Sequence, residues 1–331
     1  MNDEALPRGL WDAPDDAPEI RVGISTCLLG RKVRFDGGHK RDAYLTDLLG
    51  AFVTFVPVCP EVEIGLGIPR EAIRLVSTCE GVRLRGVRSG ADHTEKMQRY
   101  AAAKVRALEK LDLSGYVLKK DSPSCGMERV KIYSEKAMPE RSGAGMFAAA
   151  LLQHFPLLPV EEEGRLNDPR LRENFLERLF AYRRLKTLFR ARWTIGALVR
   201  FHTAEKLNLL AHEPEGYRAL GRLVAEAKRL PRAEVAARYE TLFMGALKKI
   251  ATVRKNTNVL QHAQGYLKRV LAAADKEELA GLIRDYHRGL VPILVPLTLL
   301  RHHVRSNGVE YLAGQTYLEP HPKELMLRNH V

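Results

Sequence analysis

The feature that most limits what this chain can fold into is a change of pattern near residue 160. Before it, short β-branched runs alternate with helical spacing. EIRVGIS (19–25), FVTFVPV (52–58) and GYVLKK (115–120) read as strands, and RDAYLTDLLGA (41–51), DHTEKMQRYAAAKVRALEKL (92–111) and GMFAAALLQHF (145–155) as helices. EAIRLVS (71–77) and GVRLRGV (81–87), separated by TCE, predict a hairpin with Cys79 in its turn. Asp92 or Thr94 is the expected cap of the 92–111 helix. This alternation predicts an α/β domain built on a mainly parallel sheet. From PVEEEGRLNDPRL (159–171) onward the strand-like runs stop. Amphipathic helical patterns continue to residue 305, broken by Pro214, Pro231, Pro292 and Pro296. The expected organisation is an acidic disordered tail (1–19), an α/β domain (20–160) and a mostly α-helical domain (161–331).

Charge separates the same three parts. Residues 1–19 carry one basic against six acidic side chains, residues 20–160 carry 22 against 15, and residues 161–331 carry 30 against 19. Both folded parts are therefore basic, which suits a polyanionic partner such as nucleic acid, although a basic surface also occurs on ordinary enzymes. The acidic, Pro-containing start has no apolar stretch of a signal peptide, and the apolar run Leu290–Leu300 is interrupted by two prolines and too short to span a bilayer. A cytoplasmic protein with no membrane partner is expected, in which cysteines bind metal or do chemistry more often than they pair. Eight of the 11 histidines lie beyond residue 200, without metal-ligand spacing.

Three of the four cysteines share a setting. Cys27, Cys59 and Cys125 each follow a predicted strand and stand beside a turn residue or proline. In a Rossmann-like parallel sheet the carboxyl ends of the strands face one crevice, so these three can meet there. A structural zinc site takes four ligands, often from paired C-x2-C knuckles, and none occurs here. Iron–sulfur clusters usually take four cysteines; with three, a cubane keeps one iron open to substrate. Three unrelated buried thiols are the plain alternative. Cys79, at a hairpin tip, stands apart.

STCLLGRKVRFDGGHK (25–40), VPVCPEVEIGLGIPRE (56–71) and KKDSPSCG (119–126) together resemble the thiouracil desulfidase family, in the family's order and across about residues 20–160. The resemblance implies a [4Fe–4S] cluster held by Cys27, Cys59 and Cys125, whose open iron takes the sulfur of a thiolated pyrimidine. The second half, from NDPRLRENFLERLFAYRRLK (167–186), resembles a helical domain catalogued without a function, and the fusion is similar to bacterial tRNA 4-thiouridine desulfidases. The expected reaction is then hydrolysis of 4-thiouridine in tRNA to uridine and sulfide. Glu61, two residues past Cys59, is the candidate base for the attacking water; Ser122 would hydrogen-bond the substrate ring or relay a proton; Asp36 would position base or water. Each has a plainer role: Glu61 as a helix-start acid, Ser122 before Pro123 and Asp36 before Gly37-Gly38 as turn residues. The basic stretches RRLKTLFRARW (183–193) and LKKIATVRKNTNVLQHAQGYLKR (247–269) suit contacts to RNA phosphate and sugar. Three alternatives stand beside this reading. They are a desulfidase of free thiouracil or thionucleosides, a non-catalytic RNA-binding protein with a structural metal, and an aconitase-like dehydratase, whose usual close C-x2-C pair is absent here.

Overall fold

The computed structural model describes residues 19–134, 138–190 and 192–330, so the expected acidic tail lies outside the described residues except for Glu19. The chain divides into two compact units, with the second unit starting at Pro169. The boundary thus falls after Asp168 rather than at residue 160.

The first unit is built around a parallel sheet of four strands: β1 (Arg21–Ser25), β2 (Thr54–Val58), β5 (Gly115–Leu118) and β8 (Val160–Glu162), in the order β2-β1-β5-β8. Central strands of a parallel sheet are covered on both faces and carry continuous apolar runs. Accordingly Val22 and Ile24 of β1 and all four residues of β5 are buried. Gly23 is required in β1, because a Cβ there would lie 2.1 Å from the Tyr116 ring. The β3 (Ile73–Thr78) and β4 (Gly81–Gly86) hairpin forms as expected, but in a second sheet of order β4-β3-β6-β7 completed by β6 (Val130–Tyr133) and β7 (Glu140–Gly143).

Helices α1 (Pro60–Glu63), α2 (Thr94–Glu109) and α3 (Met146–His154) complete the unit. Met97, Ala101, Val105 and Leu108 recur at helical spacing on the buried face of α2. The cap position is His93 rather than Asp92 or Thr94, and no side chain caps the helix: Asp92 accepts from the Thr94 amide at 2.8 Å just before the first turn, while the Thr94 hydroxyl is turned to the hairpin and accepts from the Leu84 amide at 2.8 Å. The expected 41–51 helix is instead a wide π-type turn over Tyr44–Leu48 followed by a 3-10 turn over Leu49–Ala51. Leu45 and Leu49 still bury themselves, so the apolar spacing served a helical turn too short for a regular helix.

The second unit is helical: α4 (Pro169–Arg190), α5 (Ile195–His212), α6 (Pro214–Glu226), α7 (Arg232–Leu247), α8 (Val253–Leu267), α9 (Ala273–His287), α10 (Leu294–Ser306) and the short α11 (Glu310–Ala313). Pro214 opens α6 and Pro231 caps α7, whereas Pro296 sits inside the first turn of α10, where an amide has no intrahelical acceptor to lose. Leucines and valines of α5, α8, α9 and α10 form a continuous core. Beside it Arg328 ties the C-terminal segment to α4. Its Nε donates to Glu173 at 3.1 Å, Nη2 to Glu177, and Nη1 to the Tyr317 carbonyl at 2.7 Å, while His212 meets the other Glu177 oxygen at 3.0 Å. No helix among the described residues is long and apolar enough to cross a membrane.

Candidate active site

The carboxyl ends of three adjacent strands, β2, β1 and β5, open on one cavity of about 380 Å³, and Cys59, Cys27 and Cys125 all line it. Each is delivered by a different local device. Cys27 lies in the 3-10 turn Thr26–Leu29, closed by Gly30 at φ +83°, and its carbonyl accepts from the Gly30 and Lys40 amides, so the 30–40 loop folds back over it. Cys59 caps α1, where Glu63 reaches back to its amide at 3.1 Å. Cys125 rides a loop on which the Ser122 hydroxyl accepts from the Cys125 amide at 3.1 Å and the Ser122 carbonyl accepts from Gly126 at 2.8 Å. Gly126 has no room for a side chain: a Cβ would lie 2.4 Å from Val130 and 2.9 Å from the Ser122 carbonyl.

All four cysteines are free thiols, and only Cys79 is exposed. Burial pushes the Cys27 thiol up to about 11, against the opposing pull of Lys119 and Arg34. Burial also raises Cys59, with Glu61 adding to it, and raises Cys125 well above the usual thiol value, again with Glu61 behind it. Without a metal these thiols are neutral, and coordination must remove their protons. Among the described residues no three His, Cys, Asp or Glu side chains are grouped to hold one metal ion. Thiolates sharing a single zinc stand about 3.8 Å apart, given Zn–S bonds of ~2.3 Å. Three cysteines lining one cavity, with no fourth cysteine there and no grouping that would hold a single ion, are a donor set that fits a polynuclear cluster in which each thiolate binds a different iron.

Glu61, in the first turn of α1, faces the same cavity. Its Oε2 accepts from Arg70 Nη2 at 2.6 Å and Nε at 3.0 Å, and its Oε1 accepts from the Ser124 hydroxyl at 3.0 Å. It is therefore neither a surface charge nor a mere helix-start acid. Ser122 lines the cavity but also performs the turn role its sequence suggested. Asp36 does not line it. The Asp36 carboxylate accepts from the Gly38 amide at 2.9 Å, which holds it below the usual range, and stabilises the exposed 34–38 turn. Arg70 and Ser124 were missed from the sequence, although Arg70 lies within the second motif and Ser124 stands next to a cluster candidate. The signal was proximity to Cys125 and a buried arginine's need for a carboxylate, neither visible without the fold.

Comparison with known proteins bears on both units. The family model described as 2-thiouracil desulfurase matches residues 22–163, and a model of a protein family of unknown function, DUF1722, matches residues 206–322. The uncharacterized protein YbgA of Escherichia coli (strain K12) is 34% identical over 165 residues, 50% of this chain and 98% of YbgA. The uncharacterized protein YbbK of Bacillus subtilis (strain 168) is 30% identical over 152 residues, 44% of this chain and 97% of YbbK. Among solved structures, a [4Fe-4S]-dependent thiouracil desulfidase, TudS, is 30% identical, with a TM-score of 0.37, over 45% of this chain and 95% of its own.

Proposed function

The chain belongs to the 2-thiouracil desulfurase family, and from that premise we propose that its first unit hydrolyses the C=S bond of thiolated uracils with a [4Fe–4S] cluster held by Cys27, Cys59 and Cys125. The observation that carries this reading is the meeting of three free thiols, from three strand ends, in one cavity with a half-buried carboxylate paired to an arginine. A cluster bound there supplies an iron without a protein ligand, a Lewis acid for the thiocarbonyl sulfur.

The chain's own residues do the rest. Glu61 takes a proton from the water that attacks the carbon of the C=S bond, and Ser122, on the cavity wall, donates to or accepts from the pyrimidine edge. The balance is closed without any electron donor: a C–O bond forms, the C–S bond breaks, and both water protons pass in turn to the sulfur, the first through Glu61 as water attacks and the second as the carbonyl re-forms, so that a thiocarbonyl and one water become a carbonyl and hydrogen sulfide. Asp36 keeps the 34–38 turn in shape.

Free thiouracil and thionucleosides are the substrates this unit needs no second domain to handle. A finer reading, 4-thiouridine within tRNA, draws support from the second unit. A cleft of about 410 Å³ between α8 and α9 is lined by Arg254, Arg284, His287 and Arg288 with Asn258 and Gln261. Among the described residues Arg254 and Arg288 make no ion pair there, so their charge is available to phosphate. A base within folded RNA would have to turn outward to reach the cavity. Anaerobic incubation of the reconstituted protein with 2-thiouracil, 4-thiouracil and bulk tRNA, the last digested to nucleosides, tests both readings. Loss of thiocarbonyl absorbance with sulfide release is expected. Loss of 4-thiouridine with gain of uridine in the tRNA sample selects the finer reading, and no sulfide from any of the three refutes both.

A further inference from the structure

The Arg70 side chain is 5% exposed, yet it is charged and commits all three nitrogens of its guanidinium to neighbouring groups. Nη2 and Nε both donate to Glu61 Oε2, and Nη1 donates at 3.0 Å to the carbonyls of Val33 and Gly67. Its own amide donates to the Phe35 carbonyl at 2.9 Å. Val33 and Phe35 belong to the loop that folds back over Cys27, and Glu61 belongs to the helix capped by Cys59. Ser124, fully buried and one residue before Cys125, adds the third connection through Glu61 Oε1. The segments that carry the three cysteines are thus joined through one carboxylate.

An ionised carboxylate offers about four lone-pair sites on its two oxygens. Arg70 fills both on Oε2 and Ser124 fills one on Oε1, which leaves a single site, on Oε1. We propose that Arg70 and Ser124 are the positioning residues of this site: they fix Glu61 so that one lone pair of Oε1 alone faces the reacting water, and they join the three cysteine-bearing segments before any cluster is bound. This rests on the reading of Glu61 as the base, and assigns the proton to one atom. Arg70 contributes no proton of its own; two N–H donors on Oε2 leave that oxygen unable to compete for water. A misplacement of the base by about 1 Å costs on the order of 10²-fold in rate.

The test uses full-length Arg70→Ala, Arg70→Lys, Ser124→Ala and Glu61→Gln, each reconstituted anaerobically and assayed with 4-thiouracil. Iron and sulfide content near wild type is expected throughout. For Arg70→Ala, kcat should fall about 10²-fold while KM moves less than about threefold. Added methylguanidinium should restore at least about tenfold of that loss, since it replaces the planar pair of donors, whereas Arg70→Lys, a point charge, should remain as slow as the alanine variant. Cluster-free Arg70→Ala should also lose amide-exchange protection at residues 33–37 and 61–66. Wild-type kcat in Arg70→Ala beside an inactive Glu61→Gln overturns the positioning role and leaves the base assignment standing. Wild-type kcat in Glu61→Gln overturns the base assignment itself. If Arg70→Ala retains no iron, the exchange measurement decides, and unchanged protection overturns the proposal.

Discussion

Replacing Arg328 by Met tests whether the second unit depends on its buried charges. Arg328 is 5% exposed and lies between Glu173 and Glu177, whose side chains are 15% and 3% exposed. Burial and the neighbouring Glu177 charge push Glu173 up to about 7 in spite of Arg328. Burial would raise Glu177 as well, but Arg328 and the hydrogen bond from His212 outweigh it and hold Glu177 well below its usual range. Removing the guanidinium leaves two buried carboxylates one helical turn apart and the Tyr317 carbonyl without its donor. Breaking a buried pair from one side costs about 3–5 kcal/mol. In a domain of this size each kcal/mol moves the midpoint by about 2–4 °C, so a fall on the order of 6–20 °C is expected. Urea and thermal unfolding, followed through Trp193 in a Trp11→Phe background, reports on this unit, because Trp193 packs against Phe189 and Arg232. The deficit should be larger at pH 8 than at pH 5. Carboxylates whose folded values are raised favour folding when protonated and lose that contribution as pH rises through those values. Adding Glu173→Gln and Glu177→Gln should recover most of the loss. A deficit under about 1 kcal/mol, or one independent of pH, would refute the reasoning.

Thiol chemistry gives a second expectation: in the cluster-free protein at pH 8, Cys79 reacts with a soluble alkylating agent well before the other three, whose burial keeps them as neutral thiols; mass spectrometry of early time points showing Cys27 or Cys125 labelled first would contradict it. In acid, burial holds His202 and His321 down to about 4 from 6.5, so the folded state stays neutral where the unfolded chain takes up protons, and stability is lost as pH falls from 6.5 towards 4. Each contributes at most about 3 kcal/mol. A His202→Asn/His321→Asn protein should lose less stability than wild type between pH 7 and pH 5, and equal losses would refute this. Arg254→Glu with Arg288→Glu should raise KM for 4-thiouridine tRNA and flatten its salt dependence, by a slope of about 1 for each phosphate no longer neutralised, while leaving 4-thiouracil turnover unchanged; an equal effect on both substrates removes the cleft from RNA binding.

The local patterns that carried through to the structure were those whose period a single element sets. β1, β5, α2 and α3 were legible because apolar spacing within each segment matches its own burial, and β2 because of its β-branched and aromatic run, although only Val58 of it is buried. β8 was not. Its Val160-Glu161-Glu162 reads as the start of a polar linker, yet both glutamates are buried, Glu162 accepting from the Met127 amide at 2.7 Å and Glu161 from Arg165 at 2.6 Å. Those partners come from other segments, so sequence alone placed the boundary too early. β6 and β7, four residues each, were missed because their pairing partners are distant. That three cysteines and Glu61 share one cavity was legible from their place after strands. Which serine meets Glu61 was not: Ser122 and Ser124 both flank Pro123, and only the fold turns Ser124 inward and Ser122 back onto its own loop. Asp36 looked like a site residue because it lies in a motif, but its carboxylate is committed to the turn.

The metal content of the reconstituted protein bears most directly on a cluster held by three cysteines. Anaerobic treatment with iron and sulfide should give a brown protein with about four irons and four sulfides per chain. Replacing Cys27, Cys59 or Cys125 by Ala, one at a time, should each destroy that cluster, while Cys79→Ala keeps it. A colourless protein that takes up one zinc, or a cluster that survives the loss of any of the three, would contradict it.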